Sequence, residues 1–111
     1  MTKLNLRFIA TTPEDQFKGL MNQAPLKGNE GALFVFGQTK LGSFWNKNVS
    51  FPIDVGFFDE DGKLINVEHL DAHQRSPVFG NRAYKYVVEA PEGWFGENNV
   101  KLGTHYKELT D

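Results

Sequence analysis

The chain has 111 residues, 40% of them apolar, enough for a single small domain spanning 1–111 and too few for a second core. Twelve Lys and Arg against fourteen Asp and Glu leave a net charge of −2, which supplies too few cations for a general nucleic-acid coat. The absence of cysteine excludes a disulfide framework, thiolate zinc, iron–sulfur clusters and a cysteine nucleophile, and no apolar run nears the roughly 20 residues of a membrane helix.

Leu4, Leu6 and Phe8 alternate with Lys3, Asn5 and Arg7, the period of two that marks a strand over 3–10 with one wet face. Thr12 then offers a hydroxyl cap, Pro13 suits a first helical position, and Glu14 and Asp15 sit where the helix dipole is positive. Phe17, Leu20 and Met21 give the predicted helix an apolar stripe to lay on a sheet, and Asn22 and Pro25 end it. Gly19 reads as a packing residue that lets the helix approach.

Ala32–Phe36 is an unbroken apolar run between glycines, a central strand with Leu33 and Val35 on one face and Phe34 and Phe36 on the other. A third strand is predicted over 41–47, and a fourth over 53–58 with Ile53, Val55 and Phe57 on one side. Asp59 to Gly62 forms a hairpin turn into a fifth strand over 63–69. Residues 71–81 read as an exposed loop, 84–89 as a strand with Tyr84, Tyr86 and Val88 on one face, 94–99 as a helical turn, and the region around Gly103 as two short strands. With ten Phe, eleven Gly and turns every eight to twelve residues, the expected fold is mainly β (α+β), a barrel-like antiparallel or mixed sheet with one short early helix packed on it.

Lys18-Gly19-Leu20-Met21, Gly31 to Phe36, Ser43 to Asn48, Pro52 to Val55, the hairpin Phe58 to Lys63, Tyr86 to Glu89, Gly93-Trp94 and Val100 to Gly103, in that order, resemble the domain of unknown function 192 family across nearly the whole chain. The resemblance implies a compact, largely β domain found in bacteria, archaea and phages, often exported in bacteria, with no agreed activity. Two positions depart from the family pattern: Asn46 stands where a hydrophobic residue, commonly Met, is usual, and Val49 where Thr is usual. The start of the chain lacks the apolar core of a signal peptide, so the expected location is cytoplasmic, without nucleic-acid or membrane partners.

The polar positions of the pattern are Lys47, Asn48, Asp54 and Glu89. Asp54 shares a strand face with Gly56, whose missing side chain leaves room above it, so its carboxylate could hold a ligand, or could simply pair with Lys47 and accept backbone N–H groups. Glu89, at a strand end, could serve as a second carboxylate or cap the next turn. Trp45, Lys47 and Asn48 combine an aromatic face with a cation and an amide, a surface suited to a ring or a peptide side chain, or Trp45 simply covers the barrel mouth while Lys47 is solvated and Asn48 makes a turn. His69, Asp71 and His73 form the one metal-like spacing, effective only if 69–73 is extended, and loop histidines are common without a metal. Gly37 to Gly42 lacks the ending of a phosphate loop, and no serine lies in a nucleophile elbow.

Three functional classes follow. The leading one is a small-molecule or peptide-binding module, needing no cofactor, with Trp45, Lys47, Asn48, Asp54 and Glu89 around a mouth of the sheet. The second is a hydrolase with Asp54 and Glu89 as base and acid and Lys47 as electrostatic stabiliser. The third is an interaction protein acting through edge strands.

Overall fold

The computed structural model describes residues 2–111. In chain order these form β1 (Asn5–Ala10), α1 (Pro13–Lys18), β2 (Glu30–Lys40), β3 (Ser43–Phe44), β4 (Ile53–Phe58), β5 (Leu64–Leu70), β6 (Val78–Phe79), β7 (Tyr84–Pro91) and α2 (Trp94–Glu97), followed by a 3-10 turn at Tyr106–Glu108. Five strands make one mixed sheet in the order β1-β2-β7-β4-β5, with β1 parallel to β2 and the other pairs antiparallel. A parallel β1–β2 pair needs a crossover, and residues 11–29, carrying α1, supply it. The fold is thus mostly strand with few helices, as expected, but the sheet ends at β1 and β5 and is not a closed barrel.

The period of two along the strands divides the core into two layers. Phe34, Val55, Phe57 and Val87 pack on one face with Leu20 from the α1 crossover. Leu33, Phe58 and Val88 pack on the other with Trp94 and Phe95 of α2 and Leu109 near the chain end. The small β3–β6 sheet lies over the first face, where Phe44 meets Phe34 and Phe57 edge-on at 5.3 and 5.8 Å between ring centres. That face therefore has two covers, α1 and β3–β6, and a cavity opens between them.

Several local expectations change. Thr12 caps α1 as predicted, its Oγ1 accepting from the Asp15 amide at 3.2 Å. The helix stops at Lys18, however, because Gly19 takes φ +44, so Leu20 and Met21 belong to the following turn and Phe17 stays 66% exposed instead of lying on the sheet. The predicted strand over 41–47 shrinks to Ser43–Phe44, and the loop 71–81 contains its partner Val78–Phe79. Tyr84 joins the Phe34 layer while Tyr86 joins the Val88 layer, because the β2–β7 register shifts between Val35 and Lys40. Around Gly103 there are isolated bridges, Lys63 with His105 and Leu4 with Thr110, in place of two strands.

Candidate functional site

A pocket of about 260 Å³ opens between α1 and β3. Its inner surface is mainly aromatic and aliphatic, from Leu20, Phe34, Phe36, Phe44, Val49 and Tyr84, and the exposed Phe17 and Trp45 stand at its rim. Two polar side chains reach this lining from buried positions, Glu89 and Asn46.

Glu89 comes from β7, where the register places it between Ala32 of β2 and Val55 of β4. Side chains directly opposite in antiparallel strands share a face, so the carboxyl is delivered to the layer of Phe34 and Phe57. It is 4% exposed and joins no ion pair among the described residues. Burial alone pushes its pKa up to about 8. At neutral pH this is a protonated carboxylic acid in a largely apolar chamber.

Asn46 is 1% exposed. Its Nδ2 donates to the carbonyls of Phe51 at 3.1 Å and Asp71 at 3.0 Å, which ties the 46–51 turn to the end of β5. The Oδ1 has no hydrogen-bond partner. Those two carbonyls also fix which end of the amide is which, since flipping it would set oxygen against oxygen. Tyr84, by contrast, is satisfied: its hydroxyl donates to the Gly42 carbonyl at 2.9 Å, and burial raises its pKa to about 12, out of range for proton transfer near neutrality.

Trp45 and Lys47 meet, the Nζ lying 5.5 Å from the centre of the indole ring, and Trp45 lines the pocket while Lys47 stays beside it. Asn48 is not part of the lining. It holds φ +58, a left-handed turn position that Asn tolerates, and its carbonyl accepts from the Asn22 amide at 2.9 Å.

Asp54 is elsewhere. Being adjacent to Val55, which pairs with Glu89, it projects from the opposite face of the sheet. There it accepts from the Gly93 amide at 2.8 Å and contacts His69 Nδ1 at 2.8 Å, not Lys47. The space expected over Gly56 is filled by Phe95, whose Cζ would lie 2.7 Å from an added Cβ. Asp54 and Glu89 therefore cannot converge on one substrate atom, and the acid–base pair expected of a hydrolase is not assembled. The second nitrogen of His69 lies 2.8 Å from Asp71 and 3.4 Å from Glu92, and the hydrogen bonds its ring donates to Asp54 and Asp71 raise its pKa. His73 holds φ +59, so 69–73 is not extended throughout, and no group of three metal-ligating side chains gathers among the described residues.

The fold and site together define a class: an open mixed-sheet α+β domain with a small aromatic pocket between its first helix and a two-stranded flap. The chain belongs to the domain of unknown function 192 (DUF192) family, described as "Uncharacterized ACR", whose pattern matches residues 3–107. Its structure is similar to that of a protein of unknown function from Novosphingobium aromaticivorans, with 25% identity and a TM-score of 0.84 over 90% of this chain and 73% of that one. It is also similar to a candidate transcription regulator from Sinorhizobium meliloti, with 28% identity and a TM-score of 0.82 over 87% of this chain and 76% of that one. Comparison with curated proteins gives no match.

Both positions at which this chain departs from the family pattern, Asn46 and Val49, line the pocket. The sequence marked Asn46 as a lost hydrophobic contact. Its structural meaning is a gained acceptor, legible beforehand only as a polar residue in an otherwise aromatic segment.

Proposed function

We propose that this protein is a small-ligand-binding module whose site is the pocket between α1 and β3. The observation that carries the reading is a buried carboxyl without an ion-pair partner, Glu89, in an aromatic pocket lined also by Asn46, whose buried Oδ1 has no partner. A core gains nothing from such groups, because an unsatisfied buried acceptor costs about 1–3 kcal/mol. Concave, mostly apolar chambers with a few convergent polar groups and a perturbed acid are typical ligand sites. The volume suits a fragment-sized molecule or a single side chain of a peptide. Trp45, 41% exposed at the rim, would cover the ligand, with Lys47 beside it. The opposite face, where Asp54 lies, serves the fold.

Titrating isotope-labelled protein with benzamide, indole and cyclohexanol tests this, at concentrations up to about 10 mM, the range in which fragments of this size bind. At least one should shift the amides of Gly19, Leu20 and Trp45 and the Asn46 side chain while leaving the Trp94 indole unmoved, since Trp94 is buried in the other layer with its Nε1 bonded to Asn29 Oδ1 at 3.0 Å. Trp45→Ala should abolish the accompanying fluorescence change without altering the melting temperature. Shifts confined to the Trp94 face, or no binding of any of these probes, contradict the proposal.

A further inference from the structure

Resting on that binding reading, we infer that the pocket takes the cationic N–H end of its ligand, a primary amine on a small aromatic or apolar body, held by Glu89 and Asn46. The two buried polar side chains in the lining are Asn46, whose Oδ1 has no hydrogen-bond partner, and Glu89, whose carboxyl joins no ion pair among the described residues. The Asn46 oxygen cannot trade places with its nitrogen, because that nitrogen is held by two carbonyls, so this end of the amide stays an acceptor. A hydroxyl would offer one hydrogen. An ammonium offers three and in addition balances a carboxylate, which no neutral group does. An anionic end could accept at most the single O–H of the Glu89 acid and would be repelled once that acid ionises. The walls agree with a cation, since aromatic faces attract positive charge.

The other titratable groups in the lining leave Glu89 to the ligand. Lys18, from α1, pairs with Glu14 at 3.3 Å, and Lys40, at the end of β2, lies 5.6 Å from the centre of the Phe36 ring; both are exposed at the rim. Tyr84, from β7, is bonded to Gly42. The cross-strand neighbours of Glu89, Ala32 and Val55, carry no charge. The proton balance follows: an ammonium ion enters from water, the Glu89 carboxylic acid gives up its proton to solvent, and a carboxylate–ammonium pair remains. Since the free acid titrates near 8, binding at pH 7 should release about one proton.

Calorimetry with benzylamine, benzyl alcohol and benzoate, in buffers of different ionisation enthalpy, tests this. Benzylamine should bind at least about tenfold more tightly than benzyl alcohol at pH 7, release about one proton, and tighten with pH up to about 8. Benzoate should be the weakest of the three. In Glu89→Gln the tenfold advantage and the proton release should both vanish. A measurement on the wild type alone serves equally: the Glu89 carboxyl carbon at pH 6.5 should move from its protonated to its ionised resonance as benzylamine saturates. Benzyl alcohol binding as well as benzylamine, or benzylamine binding without ionising Glu89, overturns the inference and leaves the binding reading intact. Failure of every aromatic probe to enter the pocket overturns both.

Discussion

Three titratable residues, Glu89, Asp54 and Lys47, should respond differently to substitution by uncharged side chains. For Glu89 the folded pKa is raised, so the fold binds a proton that the unfolded chain has released, and stability falls as pH climbs from the ordinary carboxylate range, about 4.5, to about 8. Glu89→Gln removes that penalty and should stabilise the protein by something on the order of 2–3 kcal/mol at pH 7, with almost no effect at pH 4. Asp54→Asn should do the reverse, costing about 1–3 kcal/mol, because the carboxylate accepts from the Gly93 amide and holds His69. Lys47→Met should fall within about 0.5 kcal/mol, since a half-exposed cation over an indole contributes little. Urea melts of the three variants at pH 4 and pH 7 check all of these. Equal destabilisation by Glu89→Gln and Asp54→Asn would mean that Glu89 is part of the structural frame.

Among the elements, β4 shows most clearly what can and cannot be read from a sequence. Its alternation was legible, and so was the hairpin to β5 through Gly62, because a turn with a positive-φ glycine is a local property. What sits on either side of β4 was not. Period two says that Asp54 and Gly56 share a face but not which face Glu89 takes, and only the pairing of Val55 with Glu89 sets the two carboxyls on opposite sides. Nor does the sequence show that the room over Gly56 is filled by Phe95, far along the chain. Gly56→Ala should therefore cost about 1–3 kcal/mol, the usual penalty of overpacking, because Phe95 is buried and cannot swing aside. Thermal unfolding measures it, and a neutral result would mean that Phe95 is loosely held. The third predicted strand failed for a related reason: aromatic residues between 41 and 47 are used for packing, with Phe44 contacting four rings, while the backbone there turns to present Trp45 and Asn46 to the pocket.

For the whole molecule, the perturbed groups combine into one pH profile. Glu30, hydrogen-bonded by Arg7, has a lowered pKa, so its contribution is present above the ordinary carboxylate range and lost as pH falls through its lowered value. His69, held by Asp54 and Asp71, has a raised pKa, so its contribution is complete below about 6.5 and lost as pH rises through its raised value. With Glu89 weakening the fold above about 4.5, maximum stability should lie near pH 5, and Glu89→Gln should move that maximum toward neutrality. A stability curve flat from pH 5 to 8 in the wild type would contradict this. The same division appears in the architecture, in which one face of the sheet is closed by Trp94, Phe95 and Leu109 and the other is left open between two covers. No helix among the described residues is long and apolar enough to cross a membrane.

The central claim is that Glu89 stands buried and without an ionic partner in the largely apolar pocket proposed as the ligand site, and its carboxyl titration in the free protein tests that most directly. Carbon-detected NMR of the Glu89 side chain across pH 3 to 10 should give a midpoint near 8. A midpoint at the ordinary value of about 4.5 would mean that water or a charged neighbour already satisfies the carboxyl, and the pocket would lose its claim to be the site.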